Sequence, residues 1–564
     1  LSRENAALEK TDAAAVSGAS GSSARGGALF WAPLLAIGAA AFGAEVPFFF
    51  FGTPSGHDVE FHLYSWLEVL SSWKQGILYP CWAAQANFGY GEPRFIFYPP
   101  ASWTLGALLS AIFPWSIAAS VYIWLVLVLA GLSMFVLVRR WFDRRDAIFA
   151  AALYAVNPYH LVIVYWRSAF AELLASCLLP LLVLLALRAA EEGLSVMVPL
   201  ALVLAAAWLT NAPAAIMIHY ALALLLALLV WQRRSVRPLL VGAGAVVLGA
   251  GLAAFYLLPA IYEQKWVNIA EAVSAGSRPQ DNFLFVHTSD VEHDAFNRII
   301  SWVATLEIVS TLVAAWAAKS WRKENRAVWK VLLIVAVAAG AFMLAVTGPL
   351  WRLLPKIEFM QFPWRWLLWL SLIFSILLTA GLRQWWMRAA VCLAALLVIA
   401  TAWHGIQPPW WDNASDLREM RDNMADHIGY EGVEEYTPVG ADAAATDKDA
   451  HSVTVDGPAH AAIRVERWGS ESKEFTAEMS AADRLALRLF RYPAWGVEVN
   501  GRVIEADSRA ATGQMLVPVA AGMNRVRITL VPAWDRTAGG WISLVTACGF
   551  VVLYLRRRSV TWIA

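Results

Sequence analysis

Four ionisable side chains fall within six residues at His57-Asp58-Val59-Glu60-Phe61-His62. Carboxylates and imidazoles are the groups most often used to take a proton from an attacking hydroxyl, so this cluster can supply a general base. On a helix Asp58 and His62 share a face, four residues apart. Asp58 also suits the N-cap of a helix beginning at Val59, and the two roles are compatible.

Arginines elsewhere suit an anion. Arg167 and Glu172 flank a break between two apolar runs, and Arg365 lies in Gln361-Phe362-Pro363-Trp364-Arg365. A guanidinium matches phosphate geometry, as in a lipid headgroup, and equally forms structural ion pairs. Lys265 and Arg298 are similarly placed. The segment Asn87 to Pro100 is rich in aromatic residues, Tyr98 among them, and is stiffened by Pro93, Pro99 and Pro100. It reads as a groove for a lipid chain or a sugar, or as an aromatic belt at a membrane surface. His287, Asp290, Glu292, His293 and Asp294 make a divalent cation possible, although their spacing fits no ligand pattern. His219 lies within an apolar run, where a hydrogen-bonded neutral ring is the default.

The elements that must position these residues are membrane helices. Hydrophobic residues make up 59% of the chain, in runs long enough to cross a bilayer. Basic clusters at Arg139–Arg145, Arg233–Arg237, Lys319–Arg326, Arg383–Arg388 and Arg556–Arg558 are expected on the cytoplasmic side. Spans then fall near 28–48, 117–138, 147–164, 171–189, 194–209, 212–230, 238–260, 301–318, 327–347, 364–381, 389–405 and 538–555, about twelve in all. Residues 1–27 read as a disordered cytoplasmic tail. A long first external loop covers 49–116; in it Phe61, Tyr64, Leu67, Leu70 and Trp73 suggest a helix lying flat on the membrane, and the run 99–113 is too short to span. Residues 406–537 form an external domain, with strands at AAIRVERW, ALRLF, GVEVNG, QMLVPV and RVRITLV and a hairpin signal at Asn500-Gly501. The expected fold is therefore an all-α polytopic bundle over 28–405, a β-sandwich, and a final helix with a basic tail over 538–564.

Several functions are disfavoured. No basic block suggests nucleic acid binding. No Walker loop, dinucleotide fingerprint or serine elbow is present. An outward-facing enzyme has no cytosolic nucleotides, so its activated donor must be membrane-borne. Two other readings compete with an enzyme. One is an inactive scaffold or lipid-binding subunit of a membrane complex. The other is a secondary transporter, against which stand the long first loop and the lack of two similar halves.

One helix, a long loop with early carboxylates and a helix ending in RRWFDRR resemble the GT-C class of glycosyltransferases. His57–His62 is similar to the acidic opening of protein O-mannosyltransferases and aminoarabinose transferases. GYGEPRFIFYPP, RSAFAE, QFPWR and EYTP (Glu435–Pro438) look like the bacterial 6-pyruvoyl-tetrahydropterin-synthase-related membrane proteins, which despite the name are not pterin enzymes. YPAWGVEVNGRVI and VPVAAGMNRVRITL are similar to the external domain of YfhO-like proteins. The resemblance implies a GT-C-like fold in a bacterial inner membrane with its active face periplasmic. It implies an inverting sugar transfer from a polyprenyl-phosphate donor to a glycan, lipid or protein acceptor. Asp58 would be the base, Arg167 or Arg365 would neutralise the departing phosphate, and Glu60, His62 and Glu172 would orient the centre. The carboxylates are split here as Asp-Val-Glu where the mannosyltransferase-like motif has them adjacent. Asp58 or Glu60 could then be the base, and the use of a metal stays open.

Overall fold

The structure, a computed structural model, describes residues 31–405 and 410–561. The tail expected over 1–27 lies outside the described residues. The chain is a membrane protein, and its apolar runs fold as helices packed around one large core. Among the described residues seven helices are long and apolar enough to cross a bilayer: Trp31–Phe51, Trp115–Val138, Arg144–Arg167, Phe170–Thr210, Ala212–Arg233, Val291–Ala317 and Pro363–Gly381. Two bent pairs raise the number to nine.

The difference from about twelve has physical causes. The runs 238–260 and 327–347 each break, with bends of 76° and 88° between their halves. The runs 171–189 and 194–209 fall within the stretch Phe170–Thr210, which breaks at Gly193 (φ 67°) into the helices Leu178–Glu192 and Met197–Thr210 packed on each other. The run 389–405 lies in a shorter apolar helix, and 538–555 lies in the helix Trp534–Thr561.

Four of the basic clusters, those from Arg139 to Arg388, gather at one end of the bundle. Arg140 and Arg233 both pair with Glu191. Arg388 pairs with Asp146, and Arg383 donates to the Ser320 hydroxyl at 2.6 Å. Arg167 and Arg365 sit at the opposite ends of the helices that start near Asp146 and finish near Thr379.

The helix Val59–Lys74 departs from expectation. It buries Val59, His62, Leu63, Trp66 and Val69, while Phe61, Leu67, Leu70 and Trp73 are only half-buried. It packs on the helix Pro100–Ile112, where the Trp66 ring crosses over Gly106. Of the apolar stripe at helical spacing only Tyr64 is buried, stacked on Tyr430, and the rest is the more open face. The inner face was masked in the sequence by Ser65, Glu68 and Ser72, all buried.

The β-rich region follows two short strands that pair with each other, β1 (Thr53–Pro54) and β2 (Trp411–Asp412). Next in order come β3 (Val453–Val455), β4 (Ala461–Trp468), β5 (Ser472–Met479), β6 (Asp483–Phe490), β7 (Trp495–Val499), β8 (Arg502–Ile504), β9 (Asp507–Ser508), β10 (Gln514–Val519) and β11 (Gly522–Leu530). They form two antiparallel sheets, β3-β6-β10-β9 and β4-β5-β11-β7-β8, over one shared core. Asn500 and Gly501 join β7 to β8 with φ of 52° and 76°, the geometry of a tight hairpin.

Strand β5, SKEFTAEM, was not legible because a lysine stands on its core face. Lys473, Phe475, Ala477 and Met479 all point inward. The Lys473 ammonium donates to the Gly469 carbonyl at 3.0 Å and lies 4.6 Å from the Trp495 ring centre. Burial pushes it down to about 7.

The segment Asn87–Pro100 is a buried junction, not an open groove. Tyr90 and Phe95 are fully buried. The Phe490 amide donates to the Tyr90 carbonyl at 2.9 Å, and Arg488 Nε donates to the Phe88 carbonyl at 2.7 Å. Gly91 has φ +75°, and a Cβ there would lie 2.0 Å from Trp82 Nε1. Glu92 and Arg94 form a buried ion pair at 2.7 Å. Glu92 also accepts from the Val433 amide, and Arg94 stacks 4.5 Å from the Phe61 ring centre. The β-sandwich is thereby fixed to the helix that carries the first acidic cluster.

Candidate active site

The loop before the helix Val59–Lys74 is stitched to a strained turn. Residues Ile163–Arg167 form a π-helix, a widened turn often found at functional sites. Ser168 follows in the left-handed region at φ 50°. Its hydroxyl accepts from the Gly56 amide at 2.9 Å and donates to the Pro54 carbonyl at 3.0 Å. A Cβ on Gly56 would lie 2.5 Å from the Trp166 carbonyl oxygen, so only glycine lets the strands approach. The His57 and Asp58 amides donate to the carbonyls of Trp166 and Arg167.

This places Asp58 against Arg167. The guanidinium lies 3.5 Å from the Asp58 carboxylate, which is 40% exposed. Asp58 stands at the N-cap position, but its side chain caps no amide. Behind it Arg167 pairs with Glu172, and Arg365 Nε donates to the same Glu172 oxygen at 3.0 Å. The Tyr159 hydroxyl donates to the other oxygen. Arg365 also donates to the Met360 carbonyl at 2.6 Å and to Gln361 at 3.1 Å. Two guanidiniums thus share one buried carboxylate. Asp58 adds a second carboxylate beside Arg167, so two guanidiniums face two carboxylates and the centre is close to neutral.

In front of Asp58 and Arg167 is a cavity of about 460 Å³, the size of a small-ligand site. Trp166, Phe296, Phe362, Trp364 and Trp410 line it. The Arg167 guanidinium stacks on Trp364, 4.8 Å from the ring centre. His57 is exposed, its ring between Phe296 and Trp410 at 5.6 and 5.2 Å. Asp290, Glu292 and His293 stand on the rim, Asp290 capping the helix Val291–Ala317 through the Glu292 and His293 amides. Among the described residues no group of three or more His, Cys, Asp or Glu is arranged to hold a metal ion.

The other expected residues divide. Glu60 is exposed and does not line the cavity. His62 is buried behind Asp58, stacked on Phe170 at 5.0 Å. Tyr98 lies beyond it, 4.6 Å from the Phe61 ring, and burial holds its phenol well above the usual range. Lys265 covers the Tyr262 and Trp266 rings and takes no part. His219 bonds the Ala215 carbonyl of its own helix. Sequence reasoning missed Tyr159, Trp166, Phe296 and Trp410. Trp166 adjoins RSAFAE and could have been flagged, but nothing local marks the others.

Comparison with known proteins adds a family. A profile of the 6-pyruvoyl-tetrahydropterin synthase related domain, described as a membrane protein, matches residues 95–407. No curated protein matches the chain in sequence. Among solved structures, the apo oligosaccharyltransferase of Archaeoglobus fulgidus is 14% identical with a TM-score of 0.39, over 72% of this chain and 57% of that one. The same enzyme tethered with an acceptor peptide containing the NVT sequon is also 14% identical, with a TM-score of 0.38 over 72% and 56%. ArnT from Cupriavidus metallidurans bound to undecaprenyl phosphate is 15% identical with a TM-score of 0.29, over 63% of this chain and 77% of its own. The present chain thus spans little more than half the length of the archaeal enzyme.

Proposed function

This chain belongs to the 6-pyruvoyl-tetrahydropterin synthase related family of membrane proteins, and from that premise we propose that it is a glycosyltransferase using a polyprenyl-phosphate-linked sugar. The observation that carries the reading is Asp58, a half-exposed carboxylate on the wall of an aromatic cavity, in contact with Arg167. Aromatic faces stack on sugar C–H bonds, and an arginine edge suits phosphate.

In this reading the acceptor hydroxyl attacks the anomeric carbon from the Asp58 side. Its proton passes to the Asp58 carboxylate as the new C–O bond forms. The bond from the anomeric carbon to phosphate breaks, and its electron pair leaves with the polyprenyl phosphate. One displacement inverts the anomeric centre. Arg167, backed by Arg365 and Glu172, offsets the charge that develops on the phosphate. Asp58 serves as the base in preference to Glu60, which does not line the cavity. The site lies at the end of the bundle opposite the basic clusters from Arg139 to Arg388, which by the positive-inside rule supports an outward-facing site. In a bacterial inner membrane that face is periplasmic, and the β-sandwich stands there with it. The acceptor is a glycan, lipid or protein.

The test is turnover in reconstituted membranes with radiolabelled polyprenyl-phosphate sugars, comparing wild type with Asp58→Asn. Transfer or donor hydrolysis that vanishes in the variant supports the reading. A folded wild type that turns over no donor removes it in favour of the scaffold.

A further inference from the structure

His62 carries a hydrogen-bond donor that nothing in the resting protein uses. Its Nε2 accepts from the Phe170 amide at 3.1 Å, so the ring proton of the neutral imidazole belongs on Nδ1. Nδ1 is buried and has no partner. The whole residue is 1% exposed, and burial pushes the imidazole down to about 4, so it is neutral at physiological pH. A buried N–H without an acceptor is costly, and structures rarely keep one without a use.

Asp58 stands one helical turn before His62 on the same face. Of the charged groups around the imidazole, Asp58 acts on it most strongly, ahead of Arg167 and Arg94. The Asp58 carboxylate is loosely held where it is. Its separation from Arg167 is 3.5 Å, against the 2.7–2.9 Å usual for a charge-assisted hydrogen bond. Arg167 is meanwhile bonded to Glu172 and packed against the stacked pair of Phe362 and Trp364. One carboxylate therefore has a loosely held cation and, one helical turn along, an unused donor.

We propose that His62 is a positioning residue for Asp58: when an anion engages Arg167, the Asp58 carboxylate turns to the Nδ1–H of His62, which then fixes its aim. The inference rests on Asp58 being the base. The hand-over has a chemical logic. A carboxylate bonded to a guanidinium is a poor base, because the cation stabilises its charged form. A single neutral N–H orients it at a smaller loss of basicity. The phosphate that occupies Arg167 would thereby release the base it needs.

The test reads the imidazole itself and needs no turnover. Protein labelled with nitrogen-15 histidine is placed in lipid nanodiscs, and the His62 signal is assigned by its loss in His62→Asn. In wild type the ring is expected neutral with its proton on Nδ1. Arg167→Gln, which removes the competing cation, is expected to move that proton downfield, and Arg167→Gln with Asp58→Ala is expected not to. A proton on Nε2, no shift in Arg167→Gln, or a shift that persists without Asp58 overturns the proposal. If Arg167→Gln does not fold, Arg167→Lys takes its place, since an ammonium on Glu172 cannot fork to Asp58.

Where turnover is measurable, a second pair separates positioning from support. An asparagine amide nitrogen overlays Nδ1, and a glutamine amide overlays Nε2. His62→Asn then keeps the donor to Asp58, and His62→Gln keeps only the acceptor for Phe170. The proposal requires kcat to fall about tenfold further in His62→Gln than in His62→Asn, with KM little changed. The reverse order assigns His62 to holding Phe170 and rejects the proposal. Absent turnover with an intact imidazole hand-over would count against the transferase reading alone.

Discussion

The Asp58 amide donates to the Arg167 carbonyl at 2.9 Å, and the guanidinium of the same arginine lies 3.5 Å from the Asp58 carboxylate. The backbone thus holds the pair in register, while the two side chains stand short of a tight ion pair. Asp58→Asn keeps the shape and the backbone bond but cannot take a proton. Turnover is expected to fall by roughly 10²–10⁴, the worth of a general base, with the protein still folded. Glu60→Gln is expected to leave kcat within about twofold of wild type, because surface changes away from a site act weakly. Radiolabel transfer in reconstituted membranes reads both.

Glu172 is the counter-charge for two buried guanidiniums. Glu172→Gln leaves both without a full partner and is expected to cost about 3–5 kcal/mol, the usual result of breaking a buried pair from one side. A fall in the thermal midpoint in detergent checks this. Tyr159→Phe removes only one neutral donor to the same carboxylate and is expected to cost about 1 kcal/mol.

Gly91→Ala is expected to loosen the junction between bundle and sandwich. The position needs φ +75°, and the new methyl would meet the Trp82 indole. A cost of about 2 kcal/mol or more is expected. Faster proteolysis around Tyr90 and Phe490, whose backbones are bonded, would report it. Unchanged proteolysis would mean that the Trp82 side chain gives way.

Glu68 gives a pH dependence. It is buried on the helix Val59–Lys74, accepting from the Gln85 amide at 2.6 Å and from the Tyr430 hydroxyl at 3.3 Å. Burial raises it to about 7 from an ordinary value of 4.5. The folded state therefore holds a proton that the unfolded state has lost between those values. The contribution of Glu68 to stability is expected to be fully present below about 4.5 and to fall by on the order of 3 kcal/mol as pH rises towards 7. Glu68→Gln is expected to flatten this part of the curve, read by hydrogen exchange at Gln85 and Tyr430.

Local chemistry was legible in the sequence wherever one residue type has one use. Asn500-Gly501 announced its hairpin, and the acidic cluster announced a helix start. The helix Val59–Lys74 misled because, of its stripe Phe61, Tyr64, Leu67, Leu70 and Trp73, all but Tyr64 lie on the more open side. The buried side holds Ser65, Glu68 and Ser72, and the first two are served by residues outside the helix: Arg94 donates to the Ser65 hydroxyl at 3.1 Å and the Gln85 amide to Glu68 at 2.6 Å. The same limit applies to the site. Arg167, Glu172 and Arg365 could each be flagged, but that they form one unit across 193 positions is a property of packing. Phe296 and Trp410 become cavity walls only when their elements meet.

The pairing of β1 with β2 carries a consequence for how the site responds. Thr53 faces Asp412, Pro54 faces Trp411, and the Ser55 amide reaches the Trp410 carbonyl at 2.8 Å. Trp410 walls the cavity, and Ser55 is three residues from Asp58. Whatever fills the cavity and steadies Trp410 therefore steadies the ribbon on which Asp58 is mounted. One cavity wall and the mount of Asp58 are thus parts of one ribbon, and a change in either is transmitted to the other.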